Sequence, residues 1–374
     1  MQIPAFKLER YFAQYEFKVQ YLLSPSDCEA LTLADLLDLA DAESLALWQG
    51  LHLSYTESAG HPLLRNEVAS LYQTITPDDL LIAVPEEAIF VAMNTLLRPG
   101  DHLVAISPAY QSLYEIAQSI GCTVTAWPVQ LSEQGWHLDL AQLAASITPR
   151  TRLLVINFPH NPTGYLPSPA LLEGIVALAR QHDLYLFSDE MYRGLEFAAG
   201  DQLPAICDSY EKGISLSGLS KSYALPGLRI GWLATHDRPL LEQCLAFKDY
   251  TTICNSAPSE VLAIMALRAR SQIVRRNLAI IQHNLTVAEA FFAAHHQFFR
   301  WIKPQAGSIA FPHWQGNGSV EQFCQGLLDA RGVMVVPGSI FDHPGSHFRV
   351  GLGRRNLAEV LEQVDDYLKE YTHH

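Results

Sequence analysis

Between residues 60 and 235 the chain alternates short apolar runs with stretches of helical periodicity, and this alternation narrows the fold more than any other feature. The apolar runs are LLIAV (80–84), HLVAI (102–106), CTVTAW (122–127), RLLVI (152–156), LYLFS (184–188), GISLS (213–217) and LRIGWLA (228–234). Each is short enough for a strand and rich in aliphatic or β-branched residues. Helical stretches lie between several of them, at 86–97, 110–120 and 168–181. In the last of these, Leu171, Leu172, Ile175, Val176 and Leu178 form an apolar stripe. Strands alternating with helices predict an α/β fold whose sheet is mostly parallel and covered on both faces. The seven runs make it a seven-stranded sheet.

The flanks read differently. Residues 1–40 hold one helix-like stretch (8–20) and an irregular segment. After 257 come a long helical region (259–296), strands near 307–312, 332–336 and 347–351, and a closing helix (356–370). The expected organisation is a large domain over 41–257 and a smaller α+β domain assembled from 1–40 and 258–374. Both chain ends are needed for the second unit, because a segment of about 40 residues does not form a core alone.

Totals matter mainly for what they exclude. An apolar fraction of 49% with 17% charged residues belongs to a globular chain. A net charge of -14 argues against broad nucleic-acid binding, which wants a basic face. Six cysteines without C-x-x-C spacing read as free thiols in a reducing compartment. Lys7, Glu9 and Arg10 are unlike a signal peptide, and no uncharged apolar run reaches the roughly 20 residues of a membrane span. A cytoplasmic protein without membrane or nucleic-acid partners is expected.

Ligands of open α/β sheets bind outside the carboxyl ends of the strands. Three polar clusters fall there: NFPHNPTG (157–164), DEMY (189–192) and GLSK (218–221). If the strands are parallel neighbours, Asn161, Asp189, Tyr192 and Lys221 share one crevice. Lys221 is the one charge in ISLSGLSKSYALPGL, and the next is Arg229. A buried ammonium without a partner tends to lose its proton and become a nucleophile and base. Taken singly, NPTG is also a good turn, and Asp189 with Glu190 is also a helix cap or a solvated pair. Together the groups suit pyridoxal phosphate: an amine for its aldehyde, a carboxylate for its ring nitrogen, an amide and a phenol for its ring hydroxyl. Ser220, Arg229 and the helix start after 80–84 offer contacts for the phosphate. Tyr110, in SPAY, is placed to stack on the ring.

HNPTG, SDEMY and LSKSYALPGLRIGW stand in the order and at the spacings of the class I/II aminotransferases. The chain resembles that family of fold-type I pyridoxal-phosphate enzymes over nearly its whole length. The resemblance implies that Lys221 forms the Schiff base and acts as catalytic acid and base, and that Asp189 pairs with the pyridinium nitrogen. It implies that Asn161 and Tyr192 contact the ring hydroxyl, that Tyr110 stacks on the ring, and that Ser220 and Arg229 bind phosphate. Arg349, in HFRVGLG, matches the arginine that grips the substrate α-carboxylate, with Asn161 beside it. Tyr55, in LSYTESAGHPLLR, matches a tyrosine that reaches the phosphate of a neighbouring subunit, which implies a homodimer. Two positions depart from the pattern. Val84-Pro85-Glu86 replaces a Gly-Ala or Gly-Thr pair, so phosphate contacts there fall to Val84 and Glu86, because Pro85 has no N–H. Gly218 replaces Ser or Thr, with Ser217 one place earlier as the remaining hydroxyl.

The implied reaction is transamination between an L-amino acid and a 2-oxo acid. Elimination or cyclisation, as in C–S lyases or capreomycidine synthase, is the alternative that the motifs do not separate. An effector-sensing regulatory domain is disfavoured, because such proteins add a DNA-binding module for which this sequence has no room. No metal is expected: Pro344 and Gly345 break the helix that would align His343 with His347, and both read as surface histidines. The side-chain pocket is expected to draw on Tyr15, Glu16, Phe17 and SPSDCEA. Glu16 or Asp27 suits a basic substrate, but a helix-surface or capping role is the preferred reading of both.

Overall fold

The computed structural model describes residues 2–371. The seven expected strands form one sheet: β1 (Leu80–Ala83), β2 (His102–Ser107), β3 (Thr123–Pro128), β4 (Thr151–Asn157), β5 (Tyr185–Asp189), β6 (Gly213–Gly218) and β7 (Gly231–Ala234). Their order is β1-β7-β6-β5-β4-β2-β3. Only β7 runs against its neighbours, β1 and β6; the other pairs are parallel. β7 starts later than expected, because Pro226–Leu228 forms a 3-10 turn and Arg229 takes a left-handed φ of 56°.

Alternation along the strands divides the side chains between two faces. Leu81 and Ala83 of β1 join a core with Ala88, Leu113 and Leu241 from the helices on one side. Leu80 and Ile82 join Trp232, Leu64, Val68 and Ile264 on the other. Local signals set the helix ends. Pro169–Gln181 starts with Pro at its first turn, and the Ser168 side chain accepts from the Leu171 N–H. Val320–Arg331 carries a capping box of Ser319 with Gln322 and ends at Gly332, φ 62°.

The chain ends meet in a third core. Tyr21–Leu22 pairs in parallel with Val333–Met334. Leu23 and Cys28 pack with Ile281, Leu285, Phe323, Phe348, Leu361 and Leu368. The expected boundary at 257 differs from this packing. The helical region after 257 breaks at Ala269 into Ala257–Arg268 and Arg270–Ala294. The first of these helices buries Glu260 through Leu267 without interruption, against the large sheet. Leu36 joins the same core, and Leu8 packs into the core of the other face. The loss of strand–helix alternation therefore marks the end of the sheet, not the end of its packing layers. Among the described residues, no helix is long and apolar enough to cross a membrane.

Candidate active site

Register brings the polar strand ends together. Asn157 lies opposite Asp189 at the β4–β5 pair, and Asp189 lies opposite Leu216 of β6. The Asn157 side chain ties them further: its Nδ2 donates to the Asp189 carbonyl (2.9 Å) and its Oδ1 accepts from the Asn161 N–H (2.8 Å). This staple sits in the NFPHNPTG run, and its positioning role was not read from the sequence. Asn161, Asp189, Tyr192, Ser220, Lys221, Arg229 and Arg349 all line one cavity of ≈ 630 Å³. Helix α1 (Lys7–Tyr15) covers it with Phe6, Leu8, Glu9 and Phe12.

Lys221 stands three residues beyond β6, and its Nζ donates to Ser26 Oγ at 2.9 Å. Burial pushes the amine's pKa down, and the charge of Asp27 only partly opposes this. Asp189 ends β5 at 7% exposure. Its Oδ1 accepts from the Met191 N–H (3.1 Å), and it has no ion-pair partner among the described residues. Burial pushes its pKa up to about 6. A carboxylate held dry without a cation suits a ligand that brings one. The Tyr192 hydroxyl is buried beside Ser26 and makes no hydrogen bond of good geometry.

Arg349 comes from the strand Phe348–Gly351 and is 1% exposed. Its Nε donates to the Ser24 carbonyl (3.0 Å) and its Nη1 to Asn161 Oδ1 (3.2 Å). The guanidinium lies over the rings of Phe341 (5.2 Å) and Phe12 (5.7 Å). No carboxylate of the described residues lies within ion-pair distance of it. A buried, uncompensated guanidinium is a ready site for an anion.

At the other end, Ser220 and Arg229 meet helix α2 (Pro85–Leu96). Glu86 lines the cavity and accepts from Ser112 Oγ at 3.2 Å. Burial, reinforced by Glu9 and Asp189, pushes its pKa up to about 7. The Tyr110 hydroxyl donates to Glu9 Oε1 at 2.7 Å. These groups fit pyridoxal phosphate: an amine, a dry carboxylate, an unbonded phenol, and an anion site at a helix N-terminus. Glu86 is the exception at that N-terminus, where its charge would compete with phosphate.

Ser217, Val84 and Tyr55, the last expected at a neighbouring subunit's site, do not line this cavity. Ser217 lines a different cavity, with Tyr72, Tyr223 and Trp232. Alternation along β6 sends Leu216 and Gly218 to one face and Ser217 to the other, so Ser217 does not replace a hydroxyl at 218. Val84 is the N-cap of α2, accepting from the Ala88 N–H (2.8 Å), and does not line the cavity. Tyr55 is 88% exposed and away from this chain's own cavity. The two departures at 85 and 218 explain each other. A Cβ on Gly218 would meet Gly231 Cα and Ile230 O at 3.0 Å and Pro85 Cγ at 3.1 Å. One on Gly231 would meet Pro85 Cγ at 2.7 Å. The Pro85 ring occupies the space that a side chain at 218 would need.

His347 is not a surface residue: it is 6% exposed, stacked on Phe311, with its Nδ1 3.0 Å from His343 Nε2. Burial pushes its pKa down to about 3, so the ring is neutral. Asp27 is not a capping acid either; its Oδ2 accepts from Arg354 Nη2 at 2.8 Å. Ser26 falls within the SPSDCEA stretch expected at the pocket, but its bond to Lys221 and the roles of Glu9 and Arg354 were not read from the sequence. The run of hydroxyl and acid groups in SPSDCEA was the available signal for Ser26.

Comparison with known proteins identifies the family and the fold. The family described as "Aminotransferase class I and II" matches residues 22–364. The chain is 29% identical to capreomycidine synthase of Streptomyces vinaceus, over 98% of this chain and 95% of that enzyme. It is 34% identical to a probable aspartate/prephenate aminotransferase of Thermus aquaticus, over 88% and 87% of the two chains. A solved PLP-dependent aminotransferase from Streptococcus suis 89-1591 superimposes with a TM-score of 0.92 at 31% identity, covering 99% of each chain. Strand order, cavity and sequence match converge: the chain belongs to the class I and II aminotransferases, pyridoxal-phosphate enzymes of fold type I.

Proposed function

We propose that this chain moves an amino group between an L-amino acid and a 2-oxo acid, with pyridoxal phosphate held in the cavity around Lys221. One observation carries the reading: a half-buried lysine, a buried carboxylate without an ion-pair partner and a buried arginine without a carboxylate partner line the same cavity. When bound, pyridoxal phosphate supplies an aldehyde for the amino group and an electron-accepting ring. Asp189 accepts the ring N–H, and Tyr192 and Asn161 face the ring hydroxyl. Ser220, Arg229 and the backbone N–H of Glu86 would take the phosphate, and Tyr110 would cover the ring. Arg349 grips the substrate carboxylate and so fixes Cα toward Lys221. Lys221 Nζ, its pKa lowered by burial, takes the Cα proton and returns a proton as general acid. Helix α1 closes the cavity against water with Phe6, Leu8 and Phe12.

The holoenzyme mixed with an L-amino acid alone should release the matching 2-oxo acid up to one equivalent per chain and then stop. A second 2-oxo acid should restart it. Continuous release of a different product, with no second substrate, would replace this reading by a lyase or cyclase. That second reading is favoured by the near full-length likeness to capreomycidine synthase.

The same reading includes a cytoplasmic homodimer. All six cysteines are free, as suits a reducing compartment. Leu53 (85%), Tyr55 (88%), Tyr250 (92%) and Ile253 (51%) are exposed. Their segments are tied together: Lys248 Nζ donates to the Ser58 carbonyl at 2.8 Å, and Glu260 accepts from Thr56 Oγ1 and Asn255 Nδ2, each at 2.7 Å. A joined apolar surface of this kind suits a second copy of the chain, with Tyr55 reaching the neighbour's phosphate. Sedimentation of a monomer at micromolar concentration would remove the dimer from the reading. A large cofactor-binding unit and a smaller unit from both chain ends also belong to it, with 33–38 and 257–268 moved to the large unit.

A further inference from the structure

The reading above leaves charges around the cavity without partners. Asp189 is taken by the ring nitrogen, Arg229 by phosphate and Arg349 by the substrate carboxylate. Arg354 is already held by Asp27 at 2.8 Å. Three lining carboxylates then have no ion-pair partner among the described residues: Glu9, Glu16 and Glu86. Glu86 belongs to the phosphate end, with Ser112. Glu9 accepts from Tyr110. Glu16 has no side-chain hydrogen bond or ion pair among the described residues, although it is half-buried. Burial raises its pKa and the charge of Asp27 adds to this, while the charges of Arg354 and Lys221 only partly oppose it.

The helix does not account for Glu16. It is the C-cap of α1, where a negative charge opposes the macrodipole. Glu16 therefore burdens its own helix, lies next to another acid, and is still directed to the cavity lining. Two other groups independently mark the cavity as a ligand site. Arg349 is 1% exposed without a carboxylate, and the buried Tyr192 hydroxyl is unbonded.

We propose that the side-chain end of this cavity selects amino acids with a cationic side chain, an ammonium or guanidinium, which Glu16 binds with support from Glu9. The proposal rests on the aminotransferase reading. A neutral side chain would leave the Glu16 carboxylate desolvated and unpaired, and an anionic one would add repulsion. A cationic side chain supplies the charge-assisted hydrogen bond that no side chain of the described residues gives Glu16.

The test compares single-turnover kcat/KM of the pyridoxal-phosphate-loaded enzyme for arginine, ornithine and lysine with that for norleucine, methionine and glutamate. The cationic group should react faster than norleucine by roughly 10- to 100-fold, the worth of a hydrogen bond to a charged group. Glu16→Gln should reduce the lysine-to-norleucine ratio by a similar factor. A second measurement does not depend on turnover. Calorimetry should show δ-guanidinovalerate, which lacks an α-amino group and cannot react, binding more tightly than hexanoate, with the difference much reduced in Glu16→Gln. Equal or better reaction of norleucine or glutamate overturns the proposal while leaving the aminotransferase reading intact. Reaction of no amino acid, with the analogue bound no better than hexanoate, overturns both.

Discussion

Lys221→Ala should lower the rate of amino-group transfer by about 10⁴-fold, the upper range for a positioned acid–base group. The fold should survive. Lys221 makes one hydrogen bond, to Ser26 Oγ, and its amine is held at a lowered pKa by burial, so its removal takes away a desolvated group. The thermal midpoint should stay within the few degrees that about 1 kcal/mol represents. Small primary amines in the buffer should restore part of the lost rate, because the cavity keeps Arg349 and Asp189 to orient substrate and cofactor. Borohydride reduction of the loaded wild type, followed by peptide mapping, should mark Lys221, and the variant should carry no label. A variant that keeps activity within tenfold, or takes the label at another lysine, would remove Lys221 from the chemistry.

What the sequence made legible follows the reach of its local patterns. Apolar runs with polar ends gave all seven strands of the sheet, and parallel neighbours explain why Asn161, Asp189 and Lys221 meet. Arg349 was reached only through the resemblance, because its partners Ser24 and Asn161 lie 325 and 188 residues away. The hydrogen bond between Lys221 and Ser26 stayed hidden for the same reason, at a separation of 195, although the stretch that holds Ser26 was expected at the pocket. Ser217 was misread by counting positions along the chain without following the two-residue period, which turns it to the far face of β6. His347 was misread because breaking a helix does not expose a residue: it rests on Phe311 in a loop that folds inward. The layer that helix Ala257–Arg268 serves was not legible, because Glu260–Leu267 is buried continuously and a nearly all-apolar run carries no stripe that says which core it joins.

Asp189→Asn should act in opposite directions on activity and on the stability of the ligand-free protein. In the absence of ligand, burial holds the native carboxyl at about 6 against an ordinary value of 3.8. Below the ordinary value both folded and unfolded chains carry the proton, and the site costs nothing. Between about 4 and 6 the unfolded chain releases its proton while the native one keeps it, so stability falls as pH rises; above about 6 the full cost of about 3 kcal/mol remains. Asparagine has no charge to desolvate. The ligand-free variant should therefore melt higher than the ligand-free wild type at about pH 8, and lose that advantage near pH 4. Pyridoxal phosphate reverses the order. Its protonated ring nitrogen is the cation that Asp189 lacks, so the cofactor should raise the wild-type midpoint more than the variant's. Turnover should fall by roughly 10²- to 10³-fold, the scale of losing one preorganised electrostatic partner. The two effects share one cause, a carboxylate kept dry and unpaired until its ligand arrives. A ligand-free variant no more stable than wild type at about pH 8 would mean that Asp189 already has its compensation within the protein, and the ring nitrogen would need another partner.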